Sequence, residues 1–377
     1  SDVLANFESG LTSKPRPSRK PGLDAAAAPR NDARGPYRPS AAARPAGENG
    51  VGRKDGSVPA RRPRGGLRKV LDLCELGIAR GELQPRSLAN VAWGLAKAGI
   101  IATRLFAAVA REFPYRAFES GPQDLANLAW AFARADVDAP DAFAAIAAAS
   151  IAIIPKFTDQ HLSSTAWAFA TSEFVDADEF YDSLAAACAR RASFFQPIDL
   201  SNVAWAFKRV GRGRRDYPLF AALAAAVPGA AGRALPYHLA NIAKAFSDAA
   251  DPRARDAVLD VIAAAAPPRI EEFSAAELAL LAPAFADAEF PAPVLFRCLG
   301  SAAARRVGGN ADPQIVFSLL RAFWKADEVS PDLLEAAATA CSRRPQDYDP
   351  EFLGKLRTEC ERLGVGAADL IPAVRPT

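Results

Sequence analysis

An amide, an indole and a cation recur along this chain at the helical spacing i, i+3, i+7. The clearest copies are Asn90-Trp93-Lys97, Asn127-Trp130-Arg134 and Asn202-Trp205-Arg209, with Ser164-Trp167-Thr171 between them. Three later copies keep the register and lose the residues: Asn241-Lys244-Asp248, Leu280-Pro283-Asp287 and Ser318-Arg321-Lys325. At ~100° per residue the three positions share one helix face. An amide there can hydrogen-bond a base edge, an indole can stack on a base, and a cation can hold a phosphate. The stripe also has a structural reading. In a stack of helices the indole can fill the seam between neighbours, and the amide can bond an adjacent turn. Residue types and spacing leave both readings open.

Two further basic features bear on the same chemistry. The densest cluster is Lys208-Arg-Val-Gly-Arg-Gly-Arg-Arg215, where Lys208, Arg209, Arg212, Arg214 and Arg215 are free of intervening acids and glycine permits close approach to a backbone. This loop is either a phosphate contact or a solvated turn. The pairs Arg190-Arg191, Arg305-Arg306 and Arg343-Arg344 follow the tryptophan position by 22 to 24 residues. They are either phosphate contacts or cations placed favourably at helix C-termini.

Residues suited to catalysis are sparse. His161 and His238 are the only histidines, and both fall at the same place in the repeat, so the repeat accounts for them. No phosphate-cradling glycine loop, zinc-ligand spacing or nucleophile elbow occurs. The expectation is a chain without catalytic residues, metal, cofactor or small-molecule substrate. Cys74, Cys188, Cys298, Cys341 and Cys360 are widely spaced with no C-x-x-C. They read as small buried hydrophobes in a reducing compartment.

The elements that must position the stripe follow from its period. Positions 93, 130, 167, 205, 244, 283 and 321 align, with steps of 37, 37, 38, 39, 39 and 38 residues. A fixed period of this size predicts stacked helix pairs with one continuous core. The expected fold is all-α: a right-handed superhelical α-solenoid of about seven helix-pair repeats of 37–39 residues with partial caps. Helix A of each pair is expected to start at a proline eight residues before the tryptophan position, at Pro85, Pro122, Pro197, Pro236 and Pro313. Thr158, Ser274 and Asp312 fall at the expected N-cap, and Ser274 with Glu277 has capping-box spacing. Leu125, Leu128, Ala129 and Phe132 form the apolar stripe that should pack on helix B.

Composition sets the boundaries. Of the 46 basic and 43 acidic residues, residues 1–66 hold 13 and 6, leaving a mildly acidic body with 33 and 37. Residues 1–66, rich in proline, arginine, alanine and glycine, lack hydrophobic periodicity and read as a disordered basic tail. Such a tail is a targeting remnant, a nonspecific nucleic-acid arm or a solvated linker. Residues 67–364 read as the solenoid, with 67–80 as a lone second helix and 350–363 as a closing helix A. Residues 365–377 read as a short tail. The chain has no methionine and opens on Ser1, so it is expected to be a processed product or a fragment. No apolar run is long enough to span a bilayer, and no membrane insertion is expected.

The repeat signature resembles a known class. A unit of about 38 residues with L-[AS]-N-x-[AL]-W-A-[FL]-A-[KR] in helix A is similar to the octotricopeptide repeat. It also resembles the repeats of FAST-kinase-like and RNA-editing-complex proteins of mitochondria and chloroplasts. The resemblance runs over roughly residues 67–364 and is strongest at Asn90/Trp93, Asn127/Trp130 and Asn202/Trp205. It implies selective binding of single-stranded organellar RNA, with roles in its stability, processing, editing or translation, in a mitochondrion or chloroplast. Nothing after Leu363 is long enough for the nuclease-like RAP module that often ends such proteins. The RNA-facing set is then Asn90, Asn127, Asn202, Asn241, Lys97, Arg134, Arg209, Lys244, Arg321 and Lys325, the loop at Lys208, Arg212, Arg214 and Arg215, and stacking at Trp93, Trp130, Trp167 and Trp205. The alternative is a cytoplasmic, armadillo-like scaffold gripping an extended peptide, which the acidic body favours. A continuous positive stripe would argue for RNA, a neutral one for peptide.

Overall fold

The computed structural model describes residues 65–100, 102–213, 217–308 and 311–371. The described residues are helical, without strands, and fall into two compact units meeting at Ile153 and Ile154.

Unit 1 begins with a lone helix, α1 (Gly65–Ala79), and continues with two helix pairs. These are α2 (Pro85–Lys97) with α3 (Thr103–Glu112), and α4 (Pro122–Arg134) with α5 (Pro140–Ile153). The first-layer helices α2 and α4 pack on each other, and α1 packs on α3. Unit 2 repeats the plan. Its first layer is α6 (Asp159–Thr171), α8 (Pro197–Arg209), α10 (Pro236–Phe246), α12 (Ala275–Asp287) and α14 (Pro313–Lys325). Its second layer is α7 (Asp178–Arg191), α9 (Tyr217–Ala231), α11 (Pro252–Ala265), α13 (Pro293–Val307) and α15 (Pro331–Arg343). The closing helix is α16 (Pro350–Arg362). Successive first-layer helices contact one another in order, as α6–α8–α10–α12–α14. Each unit is therefore a stretch of helical-repeat solenoid.

Local chemistry explains these elements. Proline opens α2, α4, α8, α10 and α14, where the missing N–H has no helical partner. The third residue of the first-layer helix reaches back to the cap backbone. Asp124, His161, Asp199, His238 and Glu277 accept the N–H of Gly121, Thr158, Gln196, Leu235 and Ser274 at 2.6–3.3 Å. The two histidines share a repeat position for this reason. Thr158, Ser274 and Asp312 accept backbone N–H groups as N-caps.

The C-termini are equally regular. Gly99, Asp136, Glu173, Gly211, Glu289 and Asp327 stand six residues after the tryptophan position with φ between 53° and 75°. The next N–H then returns to a carbonyl one turn back, as in Val137 to Phe132 (3.0 Å) and Phe290 to Phe285 (3.1 Å). This is a Schellman closure. Helix α10 ends two residues earlier and lacks it.

The core is a ladder of apolar side chains. Leu88, Leu125, Leu162, Leu200, Leu239 and Leu278 are all buried at one position, and Phe132, Phe169, Phe207, Phe246, Phe285 and Phe323 at another. Second-layer phenylalanines meet them, with Phe169 and Phe180 centroids 4.2 Å apart and Phe296 and Phe323 5.1 Å apart. Pro283 lies inside α12 and cannot bond the Ala279 carbonyl. Ser318 Oγ of the next repeat donates to that carbonyl instead, at 2.9 Å.

Most of the 1–66 segment lies outside the described residues, and α1 starts at Gly65, two residues before the expected boundary. At the other end the body runs past 364. Gly364 takes φ 65°, the chain turns, and a 3-10 turn at Gly366–Leu370 delivers Ile371, which is buried. Residues 365–371 are thus part of the closing cap. No described helix is long and apolar enough to cross a membrane.

Candidate nucleic-acid interface

In unit 1 the stripe lies on α2 and α4. Trp93 and Trp130 are half-buried, with ring centroids 6.5 Å apart and planes inclined at 47°. The rings touch, so a base could not slide between them and would lie on their exposed faces. Lys97 is exposed, with its ammonium 4.4 Å from the centre of the Trp93 ring. Asn90 is exposed, and Asn127 and Arg134 are half-buried. The indoles therefore serve both readings: part seam, part open surface. The amides Asn90 and Asn127 bond no neighbouring turn among the described residues.

In unit 2 the same face is arranged differently. Trp167, Trp205 and Asn202 are half-buried. Arg209 lies over the Trp205 ring at 5.5 Å, donates to the Ala170 carbonyl at 3.0 Å and pairs with Glu173 at 2.7 Å. Lys208 pairs with Asp248. Asp287 sits between Lys244 (3.2 Å) and Lys325 (2.9 Å), which belong to the repeats before and after it. Burial raises the Asp287 carboxyl, but the two ammoniums outweigh it and hold it below the usual carboxylate range. Asn241 reaches Ser201 of the preceding repeat at 3.5 Å. Arg321 is exposed. The cations at 208, 209, 244 and 325 thus share three carboxylates, Asp287 serving two of them.

The basic loop is divided. Arg214 and Arg215 lie outside the described residues. Arg212 is buried, its guanidinium 5.5 Å from the Tyr181 ring and bonded to Asp178 (2.6 Å) and to Asp182. It ties the turn after α8 to the start of α7 and is no open phosphate contact.

The arginines that close second-layer helices reach back to the start of their own helix pair, or to the turn that leads into it. Arg191 pairs with Asp159, and Arg305 and Arg306 pair with Glu271. Arg344 donates to the Ala311 carbonyl at 2.9 Å. Arg116 and Arg269, outside the arginine pairs, do the same to Leu83 (2.6 Å) and Ala234 (2.8 Å). The three carbonyls stand two residues before a first-layer proline, so each arginine clamps the end of a helix pair to the turn that opens it.

Other titratable groups are structural. Asp199 is buried and its carboxyl is raised by that burial, against hydrogen bonds from Ser163 Oγ and the Gln196 N–H. Cys188, Cys341 and Cys360 are buried, Cys74 and Cys298 partly so, and all are free thiols. Burial pushes the Cys188 and Cys341 thiols up, the latter to about 11. Among the described residues no three metal-type ligands gather.

Sequence reasoning missed one turn of the stripe. Arg86 and Gln123 precede Asn90 and Asn127 by four residues and are exposed on the same face. Gln160 and Gln314 occupy that position in α6 and α14. The signal was the same periodicity, carried one turn toward the N-terminus. Trp324, the fifth tryptophan, lies off the stripe, 5.6 Å from Phe352 and under Lys355 at 4.4 Å. No protein-family description matches the chain, and no curated protein matches it in sequence.

Proposed function

We propose that this chain is a non-catalytic RNA-binding helical-repeat protein that takes single-stranded RNA on the α2–α4 face of unit 1, in the RNA metabolism of an organelle. The observation that carries this reading is the composition of that face: Asn90, Asn127, Trp93, Trp130, Lys97 and Arg134, with no carboxylate in the stripe. Half-exposed indoles give sequence-tolerant stacking, amides give edge contacts, and Lys97 supplies charge at the rim. The organelle belongs to the resemblance and to the basic residues before position 65.

A second reading attaches to unit 2. Most of its stripe cations are paired, through Glu173, Asp248 and Asp287, and its middle is apolar at Ile198, Leu280 and Pro283. A partly apolar face whose cations are mostly paired, with Trp205 and Asn202, suits an extended peptide better than a polyanion. Fluorescence anisotropy of the full chain with a labelled single-stranded RNA and its duplex tests the first reading. Preference for the single strand, lost in Trp93→Ala with Lys97→Gln, supports it. Absence of RNA binding leaves the peptide reading in front.

A further inference from the structure

We propose that unit 1 selects two adjacent bases, a guanine held by Arg86 and Asn90 of α2 and an adenine held by Gln123 and Asn127 of α4. This deepens the RNA-binding reading and rests on it.

The face is one residue column longer than the indole stripe. Positions 86, 90, 93 and 97 follow i, i+4, i+7, i+11 on α2, and 123, 127, 130 and 134 do so on α4. Each helix therefore presents two polar side chains one turn apart, just before its indole. Arg86, Asn90 and Gln123 are exposed and Asn127 is half-buried. No hydrogen bond or ion pair among the described residues engages any of the four side chains. Arg86 shares this with other exposed arginines such as Arg104, Arg297 and Arg321, whereas Arg116, Arg209, Arg212, Arg269, Arg306 and Arg344 each bond a carboxylate or carbonyl. Arg86 also stands in the first turn of α2, which holds no acidic residue. A cation there opposes the helix dipole. Its charge gains nothing from the fold, and its donors are open on the same face as Asn90 and Trp93.

The pitch and the chemistry then name the ligand. Bases lying on Trp93 and Trp130 would be spaced near the 6.5 Å of the rings. That is wider than the ~3.4 Å of stacked nucleotides, so the strand must be unstacked, with its base edges open to side chains. A guanidinium matches the two acceptors O6 and N7 of guanine, and a carboxamide matches the donor–acceptor pair N6 and N7 of adenine. Asn90 and Asn127 supply the second contact on each base.

The test is anisotropy of the full chain with ten-nucleotide oligouridines carrying GA, AG, GG, AA or UU at the centre. One of GA and AG, set by strand direction, should bind roughly tenfold tighter than UU. Arg86→Gln should move the preference to AA and Gln123→Arg to GG, with only small shifts in thermal unfolding, upward for the first and downward for the second, as the helix dipole requires. Equal affinity for all five sequences overturns the selection and leaves RNA binding standing. A preference that neither substitution alters overturns it as well. Failure of every oligonucleotide to bind removes the RNA reading and this inference together.

Discussion

Trp130 is placed where one side chain could serve both packing and the proposed RNA ligand. Its ring is half-buried against Trp93, so its removal costs less than a core indole and more than a surface one. Full truncation of a buried aromatic costs ~3–5 kcal/mol; for Trp130→Ala we expect about 2 kcal/mol in urea unfolding, together with weaker RNA binding. A cost below ~1 kcal/mol would mark a stacking residue with no seam role, and one near 4 kcal/mol the reverse. His238 poses the opposite case, a titratable group with a purely structural place. Nδ1 accepts the Leu235 N–H at 3.0 Å, Nε2 is buried without a partner, and burial lowers the imidazole to about 4. A folded value below the unfolded ~6.5 means that the unfolded chain binds the extra proton between the two. Stability from this group is therefore complete above pH ~6.5 and is lost as pH falls toward 4. The ceiling is roughly 3 kcal/mol. His238→Asn keeps a cap acceptor and does not titrate, so its unfolding free energy should fall less steeply from pH 6.5 to 4.5 than that of the parent. Parallel pH profiles would remove His238 from the account.

At the scale of the helix, the strained turns after the first layer carry a test of their own. Glu289 holds φ 53° at a position where Gly99 and Gly211 also occur, and its exposed side chain makes no bond among the described residues. An acidic residue at a helix C-terminus also opposes the dipole. Glu289→Gly should therefore stabilise unit 2 by about 1 kcal/mol in denaturant unfolding. A loss would show that the carboxylate has a partner in solution. The helices themselves were legible in the sequence because proline, cap and apolar period all agree at each start, as at Pro122 or at Ser274 with Glu277. The extension past residue 364 was not, because no hydrophobic period announces it. A single residue, Ile371, is buried there, and it gets there by a turn at Gly364. The alternation of glycine with Asp136, Glu173, Glu289 and Asp327 at the left-handed position was also hidden, since positive φ is uncommon at any non-glycine residue.

Across the whole chain the stripe was legible as a register and illegible as a surface. Spacing placed Lys97, Arg209, Lys244 and Lys325 on one face of their helices. It could not place Glu173 and Asp287 beside three of them, because those contacts join residues 36 to 43 apart in sequence. The arginine clamps escaped for the same reason: Arg344 meets a carbonyl 33 residues away. Charge counted along a repeat chain thus overstates what a polyanion would meet. This has a measurable consequence in salt titrations of RNA affinity. Each phosphate contact with a single strand contributes ~0.7 to the slope of log affinity against log salt. Lys97 faces only an indole, so Lys97→Gln should flatten the slope by about that amount. Lys325 is held by Asp287, which it shares with Lys244, so Lys325→Gln should flatten the slope much less. Equal flattening by both substitutions would mean that phosphate displaces the carboxylate and that the unit 2 stripe binds RNA too. No change from either would take the rim cations out of the interface, and stacking on Trp93 and Trp130 would then have to hold the strand alone.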